Sequence, residues 1–261
     1  MSTPFKDHYN ADCAAMIAGK IHRVRPSFDV NAFVHAVRTR IDDAGFFERQ
    51  DIFADALEAT LGDDHAKNLR TFTRILGPKL ETSTGMFTHG WWLWPISRYM
   101  ERHALEDREK NREFIYELTQ RFTGEFAIRP LLEAHPQETL RMMLVWSRDP
   151  SVHVRRLASE GVRMRLPWAR KSTVALIHFG GYTTILNALH SDPERFVQKS
   201  VGNNINDLMK EDPERARSLV LSWCTKEISP HTAWVIRHGM RNQPAELSHF
   251  SKVYPLLKRR S

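Results

Sequence analysis

Apolar residues along the first half of the chain fall at the three- and four-residue steps of an amphipathic helix. Asp29 reads as an N-cap before Phe33, Val34, Val37 and Ile41, with Gly45 a few residues past the stripe. The pattern returns in Ile52, Phe53, Ala56 and Leu57, ending before Gly62, and in Leu69, Phe72, Ile75 and Leu76, ending at Gly77-Pro78. Glu81 to Gly90 has no clear period and is rich in Thr, Ser and Gly, which predicts a long loop leading into Trp91, Trp92 and Trp94. No Asn-Gly or Asp-Gly pair separates two alternating apolar runs, so hairpins have little support and helices must carry the fold.

The second half carries a weak internal repeat. Asp149-Pro150 precedes Val154, Arg155 and Arg156; Asp192-Pro193 precedes Val197, Gln198 and Lys199; Ser229-Pro230 precedes Trp234, Val235 and Arg237. The prolines are 43 and then 37 residues apart, a period that indicates stacked helix pairs. In each case Asp or Ser is expected to cap a helix, with Pro in its first turn, where the missing amide hydrogen costs nothing. Segments around Leu140 to Trp146 and Leu219 to Trp223 supply the other member of a pair. The prediction is an all-α fold, an α-solenoid of HEAT-like helical repeats with a concave basic face. It forms a single repeat domain over 1–261, with the repeat core clearest at 125–241.

Counting from each first-turn proline shows which side chains share a face. Arg156 and Glu160 follow Pro150, while Lys199, Asn203 and Asp207 follow Pro193. Arg237 and Arg241 extend the cationic edge with a one-residue slip, and Arg163 and Arg165 lie nearby. Such a stripe can neutralise successive backbone phosphates and release counterions. It can equally be a solvated face, since Glu160 sits between Arg156 and Arg163 and Asp207 lies three residues before Lys210, spacings that give weak exposed ion pairs. Spacing alone does not identify catalytic acids here.

Composition narrows the partner. The chain has 261 residues, with 38 Lys and Arg against 31 Asp and Glu, a formal charge of +7 that suits a polyanion. Cys13 and Cys224, far apart, make neither a disulfide scaffold nor a multi-cysteine zinc module, and point to a reducing setting. Met1 to Asn10 does not resemble a secretory core, and the longest apolar run, Trp91 to Ile96, is far short of a membrane span; a cytoplasmic protein without membrane contact is expected. No His-Glu-x-x-His arrangement occurs, and His231 with His238 lacks a convergent carboxylate, so no metal is expected. Gly180-Gly181 and Gly202 build no phosphate-binding loop and read as turns or close helix contacts.

The stretch Val154-Arg155-Arg156-Leu157-Ala158-Ser159-Glu160-Gly161, continuing through Arg163, Arg165, Leu166, Pro167 and Trp168, resembles the DNA alkylation repair glycosylases of the AlkC type. So do Val197 to Leu208 and the segment Glu125-Phe126-Ala127-Ile128-Arg129-Pro130. The match is most specific from Glu125 to Pro213. By the resemblance, carboxylates and an aromatic residue surround the nucleotide being cut, and these roles fall on Glu125, Glu160, Asp207 and Trp168. Arg155, Arg156, Arg163, Arg165, Lys199, Arg237 and Arg241 then face DNA.

The resemblance further implies excision of cationic N-alkylated bases such as 3-methyladenine from duplex DNA, by a monomer without cofactor and without a deep base-trapping pocket. A charged base is already a good leaving group, so carboxylates beside the emerging oxocarbenium-like sugar are the useful tools, and one of them can position or deprotonate the attacking water. Trp168 offers a flat electron-rich face to the charged lesion. Some members of the family carry an immunoglobulin-like domain after the repeats; this chain reaches Ser261 just after Lys258-Arg259-Arg260, and no additional C-terminal domain is expected. The alternative is a non-catalytic HEAT-like DNA-binding or scaffold protein that recognises bent or damaged duplex. Which lesions beyond 3-methyladenine are accepted, and which acid holds the water, cannot be read from the residues.

Overall fold

The computed structural model describes residues 4–224 and 227–258; Arg259 and Arg260 of the terminal basic run lie outside them. The chain forms two compact units, Met1–Leu131 and Leu132–Ser261. Among the described residues there is helix and turn but no strand, and no helix is long and apolar enough to cross a membrane.

The first unit contains α1 (Ala11–Val24), α2 (Val30–Arg38), α3 (Phe46–Leu61), α4 (His65–Ile75), α5 (Trp94–Arg102) and α6 (Arg108–Thr119), and α7 (Arg129–Ala134) begins at its end. The predicted stripes are its core: Phe33, Val37, Ile52, Phe53, Ala56, Leu57, Leu69 and Phe72 are buried. Asp29, Asp64 and Asp107 cap α2, α4 and α6 by accepting from backbone amides in the first turn. Gly62 and Gly77, with φ of 72° and 79°, end α3 and α4 in a conformation that a β-carbon would strain. Two boundaries differ from expectation. The α2 helix stops at Arg38, so Ile41 is buried beyond it, and Gly45 is the N-cap of α3 rather than a stop signal. Residues 81–90 are turns without regular structure, as their composition predicts. Trp92 and Trp94 behind them are buried, and Trp94 packs against Phe46, Phe122 and Phe126 at 4.8, 5.4 and 5.6 Å, so this end of the loop is core.

The second unit contains α8 (Pro136–Trp146), α9 (Val152–Glu160), α10 (Val174–Ile177), α11 (Phe179–Leu189), α12 (Arg195–Glu211), α13 (Pro213–Trp223), α14 (Pro230–Gly239) and α15 (Pro244–Val253). Pairs α8/α9, α11/α12 and α12/α13 pack locally, and α12 lies between α9 and α14. The repeat is therefore present, with one correction to its punctuation. Ser229 caps α14 and Pro230 is its first residue, as expected, but Pro150 and Pro193 stand outside their helices. There Asp149 and Asp192 accept from the amides of Ser151 and Glu194, both at 2.8 Å. An Asp-Pro turn thus precedes each helix, because the carboxylate reaches the amide two residues on before the helical register begins.

Glycine permits the closest helix contact of this unit. A β-carbon on Gly239 of α14 would lie 2.6 Å from Ile205 Cβ, and one on Gly202 of α12 would lie 3.1 Å from Val235 O. Gly181 likewise meets Leu140 of α8, so Gly181 and Gly202 are the close helix contacts expected, whereas a β-carbon on Gly180 would meet open space. Gly19, midway along α1, has open space where its β-carbon would be. Accordingly Gly239→Ala is expected to lower unfolding stability by about 1–3 kcal/mol through overpacking, and Gly19→Ala to raise it by about 0.5–1 kcal/mol. Chemical denaturation followed by circular dichroism distinguishes the two signs.

Candidate active site

The α12 helix carries an unusual load of buried polar side chains: Gln198, Ser200, Asn204, Asn206 and Asp207 are all inaccessible. Each is used across a helix interface, as a buried polar group must be. Ser159 of α9 donates to Ser200 Oγ at 2.7 Å, Asn204 Nδ2 donates to the Ser159 carbonyl at 2.8 Å, and Asn206 Nδ2 donates to the Gly239 carbonyl at 3.0 Å. These bonds fix the axial register of α12 against both neighbours.

That register brings Glu160, at the end of α9, and Asp207, in the fourth turn of α12, onto one arginine. Arg163 Nη1 lies 2.7 Å from Glu160 Oε1, while its Nε and Nη2 reach Asp207 Oδ2 and Oδ1 at 2.9 and 3.3 Å. Glu160 is 5 % exposed, Asp207 3 % and Arg163 7 %, so the solvated-face alternative for these acids does not hold. Arg163, expected among the outward cations, is instead the bridge between the two carboxylates.

The two acids differ electrostatically. Burial pushes the Glu160 carboxyl up, but Arg156 at 3.4 Å, Arg163 and the Ser200 hydroxyl outweigh it and hold the group below its ordinary value. At Asp207 burial prevails over Arg163 and the Arg165 amide, helped by the nearby Glu160 charge, and its pKa is raised. One carboxylate is over-compensated and stays ionised; the other is under-compensated and is the better proton acceptor.

The loop after α9 is pinned to this pair. Arg163 Nη2 donates to the Arg165 carbonyl at 3.3 Å, the Ser172 amide closes the loop onto the Met164 carbonyl at 3.0 Å, and Arg165 and Lys171 both pair with Glu211 of α12. Trp168 sits at its tip, 66 % exposed and with φ of 65°, the only non-glycine residue with positive φ among those described. An exposed indole held on a left-handed backbone is not a hydrophobic plug, and such strain persists only where the surroundings impose it.

The remaining cations divide by environment. Arg155 is a stitch between repeats, donating to Asp192 at 2.7 Å and to the Asp149 and Pro150 carbonyls. Arg156 lies against Glu160 with its guanidinium 5.2 Å from the Phe196 ring. Lys199 and Arg165 are exposed. Arg241 donates to Asn203 Oδ1 at 3.2 Å, and Arg237 bonds the Leu256 carbonyl. Glu125 lies in the first unit, 8 % exposed, in the turn before α7, where the Thr123 hydroxyl donates to its Oε2 at 2.9 Å.

Several contributors escape a reading of the residues alone. Ser200 and Lys171 carry no motif. A ladder on α12 and α14 is another: Arg195 lies 3.9 Å above Trp234, which stacks on His238 at 4.8 Å, which meets Asn203 at 3.1 Å. Burial and the surrounding Arg241, Lys199, Arg195 and Arg163 push His238 down to about 4, so this ring is neutral at physiological pH. The available signal was spacing, because Trp234 and His238 are four residues apart on one helix.

A helical-repeat protein with a buried carboxylate pair on facing helices is the class defined so far. Residues 123–242 match the DNA alkylation repair enzyme family. The chain is 32 % identical over 240 residues to the uncharacterized protein YhaZ of Bacillus subtilis strain 168, covering 90 % of this chain and 63 % of that protein. It also matches the structure of Pseudomonas fluorescens alkylpurine DNA glycosylase AlkC bound to DNA containing an abasic site analog. The TM-score is 0.81 at 29 % identity, covering 92 % of this chain and 65 % of the other. The chain therefore spans just under two thirds of the length of both relatives. The AlkC-type resemblance and the HEAT-like helical repeat fold expected from the residues both hold.

The Arg163 bridge has a stability consequence. Arg163→Met is expected to lower unfolding stability by about 3–5 kcal/mol, because two buried carboxylates lose their shared counter-charge. The deficit is expected to shrink as pH falls through the raised Asp207 pKa, where that acid becomes neutral; denaturant titrations at several pH values give the trend.

Proposed function

We propose that the protein is a DNA glycosylase that hydrolyses the N-glycosidic bond of cationic N-alkylated bases, 3-methyladenine among them, in duplex DNA. The observation that carries this reading is the pair Glu160 and Asp207 sharing Arg163 within the segment that matches the alkylation repair family. AlkC, the glycosylase similar to this chain, is bound to DNA containing an abasic site analog.

The chemistry follows from the charge balance of the pair. A cationic alkylated base departs without being protonated, so the barrier lies in the positive charge left on the sugar. Asp207, with its anion under-compensated, gains most from a cation arriving beside it, and this gain is larger in the transition state than in the ground state. The same property makes Asp207 the proton acceptor for the attacking water, which adds to the anomeric carbon as the base leaves with the bonding pair. Glu160 remains ionised and holds Arg163 in place. Glu125 is the further acid that the resemblance implies, and Trp168 is the aromatic residue that stacks on the lesion or its sugar. Lys199, Arg165, Arg237 and Arg241 hold backbone phosphates, whereas Arg155 and Arg163 act through the packing they secure.

Base release from globally methylated duplex, resolved by mass spectrometry, tests this. Native protein is expected to free 3-methyladenine above the buffer rate, and Glu160→Gln or Asp207→Asn to cost about 10²-fold or more with the helical signal retained. Release at the native rate by both variants would remove these acids from the chemistry. Binding of methylated duplex without any release would favour a non-catalytic damage-recognition protein. Since ionised Asp207 is the active form, the rate is expected to fall as pH drops through a midpoint above the ordinary Asp value, and this acidic limb to vanish in Asp207→Asn. Lys199→Ala is expected to weaken binding and reduce the slope of log affinity against log salt by about one.

A further inference from the structure

A second constellation lies in the first unit, where the residues show no metal motif. His65 opens α4, His103 follows the last residue of α5, and Glu106 sits in the turn before α6. Each offers one ligand atom, and these atoms all lie within 4.8 Å of one another. His65 Nδ1 is buried without a hydrogen-bond partner, and Glu106 Oε2 stands 3.7 Å away, too far to supply one. His103 Nδ1 meets Glu106 Oε1 directly.

The surrounding hydrogen bonds decide which ring nitrogens carry lone pairs. Asn111 Nδ2 donates to the His103 and Ala104 carbonyls at 2.9 and 2.8 Å, so its Oδ1 is fixed as an acceptor. His65 Nε2, 2.8 Å from that oxygen, must then be the protonated nitrogen, and the neutral ring turns the lone pair of Nδ1 into the cluster. His103 Nε2 donates to Glu58 Oε1 at 3.0 Å, which leaves Nδ1 facing Glu106 across a proton that a metal ion would displace. Tyr99 stacks on His103 at 4.3 Å and holds the ring plane. Two imidazoles with their far N–H groups on an amide and a carboxylate, converging with a carboxylate of their own, are the arrangement in which histidines ligate metal.

We propose that His65 Nδ1, His103 Nδ1 and the Glu106 carboxylate bind one zinc-class divalent ion, with solvent in the fourth position. Zn–N and Zn–O bonds near 2.0–2.2 Å in tetrahedral geometry put ligand atoms ~3.3 Å apart, so the ring and carboxylate atoms need move by no more than about 1 Å. Imidazole and carboxylate ligands suit zinc better than calcium or magnesium, which prefer an all-oxygen shell. The ion would clip the start of α4 to the end of α5 and the turn into α6. The proton between His103 Nδ1 and Glu106 is released on binding. This inference is independent of the glycosylase reading.

The test uses the full chain stripped with a chelator and titrated with Zn²⁺ by calorimetry, and with Co²⁺ by visible absorption. Native protein is expected to bind one equivalent of Zn²⁺, to show the intense bands of tetrahedral cobalt, and to melt at a higher temperature with Zn²⁺ than without. Glu106→Gln and His103→Gln are expected to weaken Zn²⁺ binding tenfold or more and to lose the cobalt bands. Glu106 is half exposed, so Glu106→Gln carries the test even if His103→Gln does not fold. No stoichiometric binding by native protein, or equal affinity and equal bands in native protein and Glu106→Gln, overturns the proposal.

Discussion

The guanidinium of Arg163 is shared by two carboxylates that come from different helices and are almost wholly removed from water. Neither acid tolerates that burial as an isolated anion, since an unpaired buried charge costs several kcal/mol. One arginine for two acids also leaves the balance uneven. Arg156 and Ser200 complete the compensation of Glu160, whereas at Asp207 Arg163 and the Arg165 amide do not offset burial and the carboxyl is raised. The same shortage makes Asp207 costly to the fold, so one charge count sets the state of both acids.

Delivering that pair is the task of α12. Its polar residues are spent on neighbouring helices, and their contacts recur at about one repeat length. Arg155 reaches Asp192, Ser159 reaches Ser200, Arg163 reaches Asp207 and Asn206 reaches Gly239, separations of 37, 41, 44 and 33 residues. The small residues Gly202 and Gly239 let α14 approach on the other side. A slide of one turn between α9 and α12 would move a carboxylate by about 5.4 Å and separate it from Arg163. Register is therefore held by several neutral hydrogen bonds before any charge is placed.

Cations on this chain do three different jobs that their shared charge conceals. Arg163 sits within the acidic pair, and Arg155 locks one repeat turn to the next. Lys199 and Arg165 stand at the surface. The count of 38 Lys and Arg therefore overstates the cations available at the surface, because some of them neutralise buried carboxylates.

Local physics made much of this visible in the residues. Amphipathic spacing around Phe33, Phe53 and Phe72 and caps such as Asp29 and Ser229 depend on neighbours in the chain, and so did the roughly 40-residue period of the second half. Glu160 and Asp207 were legible as candidates through resemblance, while spacing alone left them on a solvated face. What only tertiary structure decided was which charges share an environment. Arg163 became a bridge, Trp168 took an exposed left-handed turn, Pro150 and Pro193 stepped outside their helices, and His65 met His103 and Glu106. Burial, counter-charge and lone-pair direction arise between segments tens of residues apart, and a linear pattern does not contain those distances.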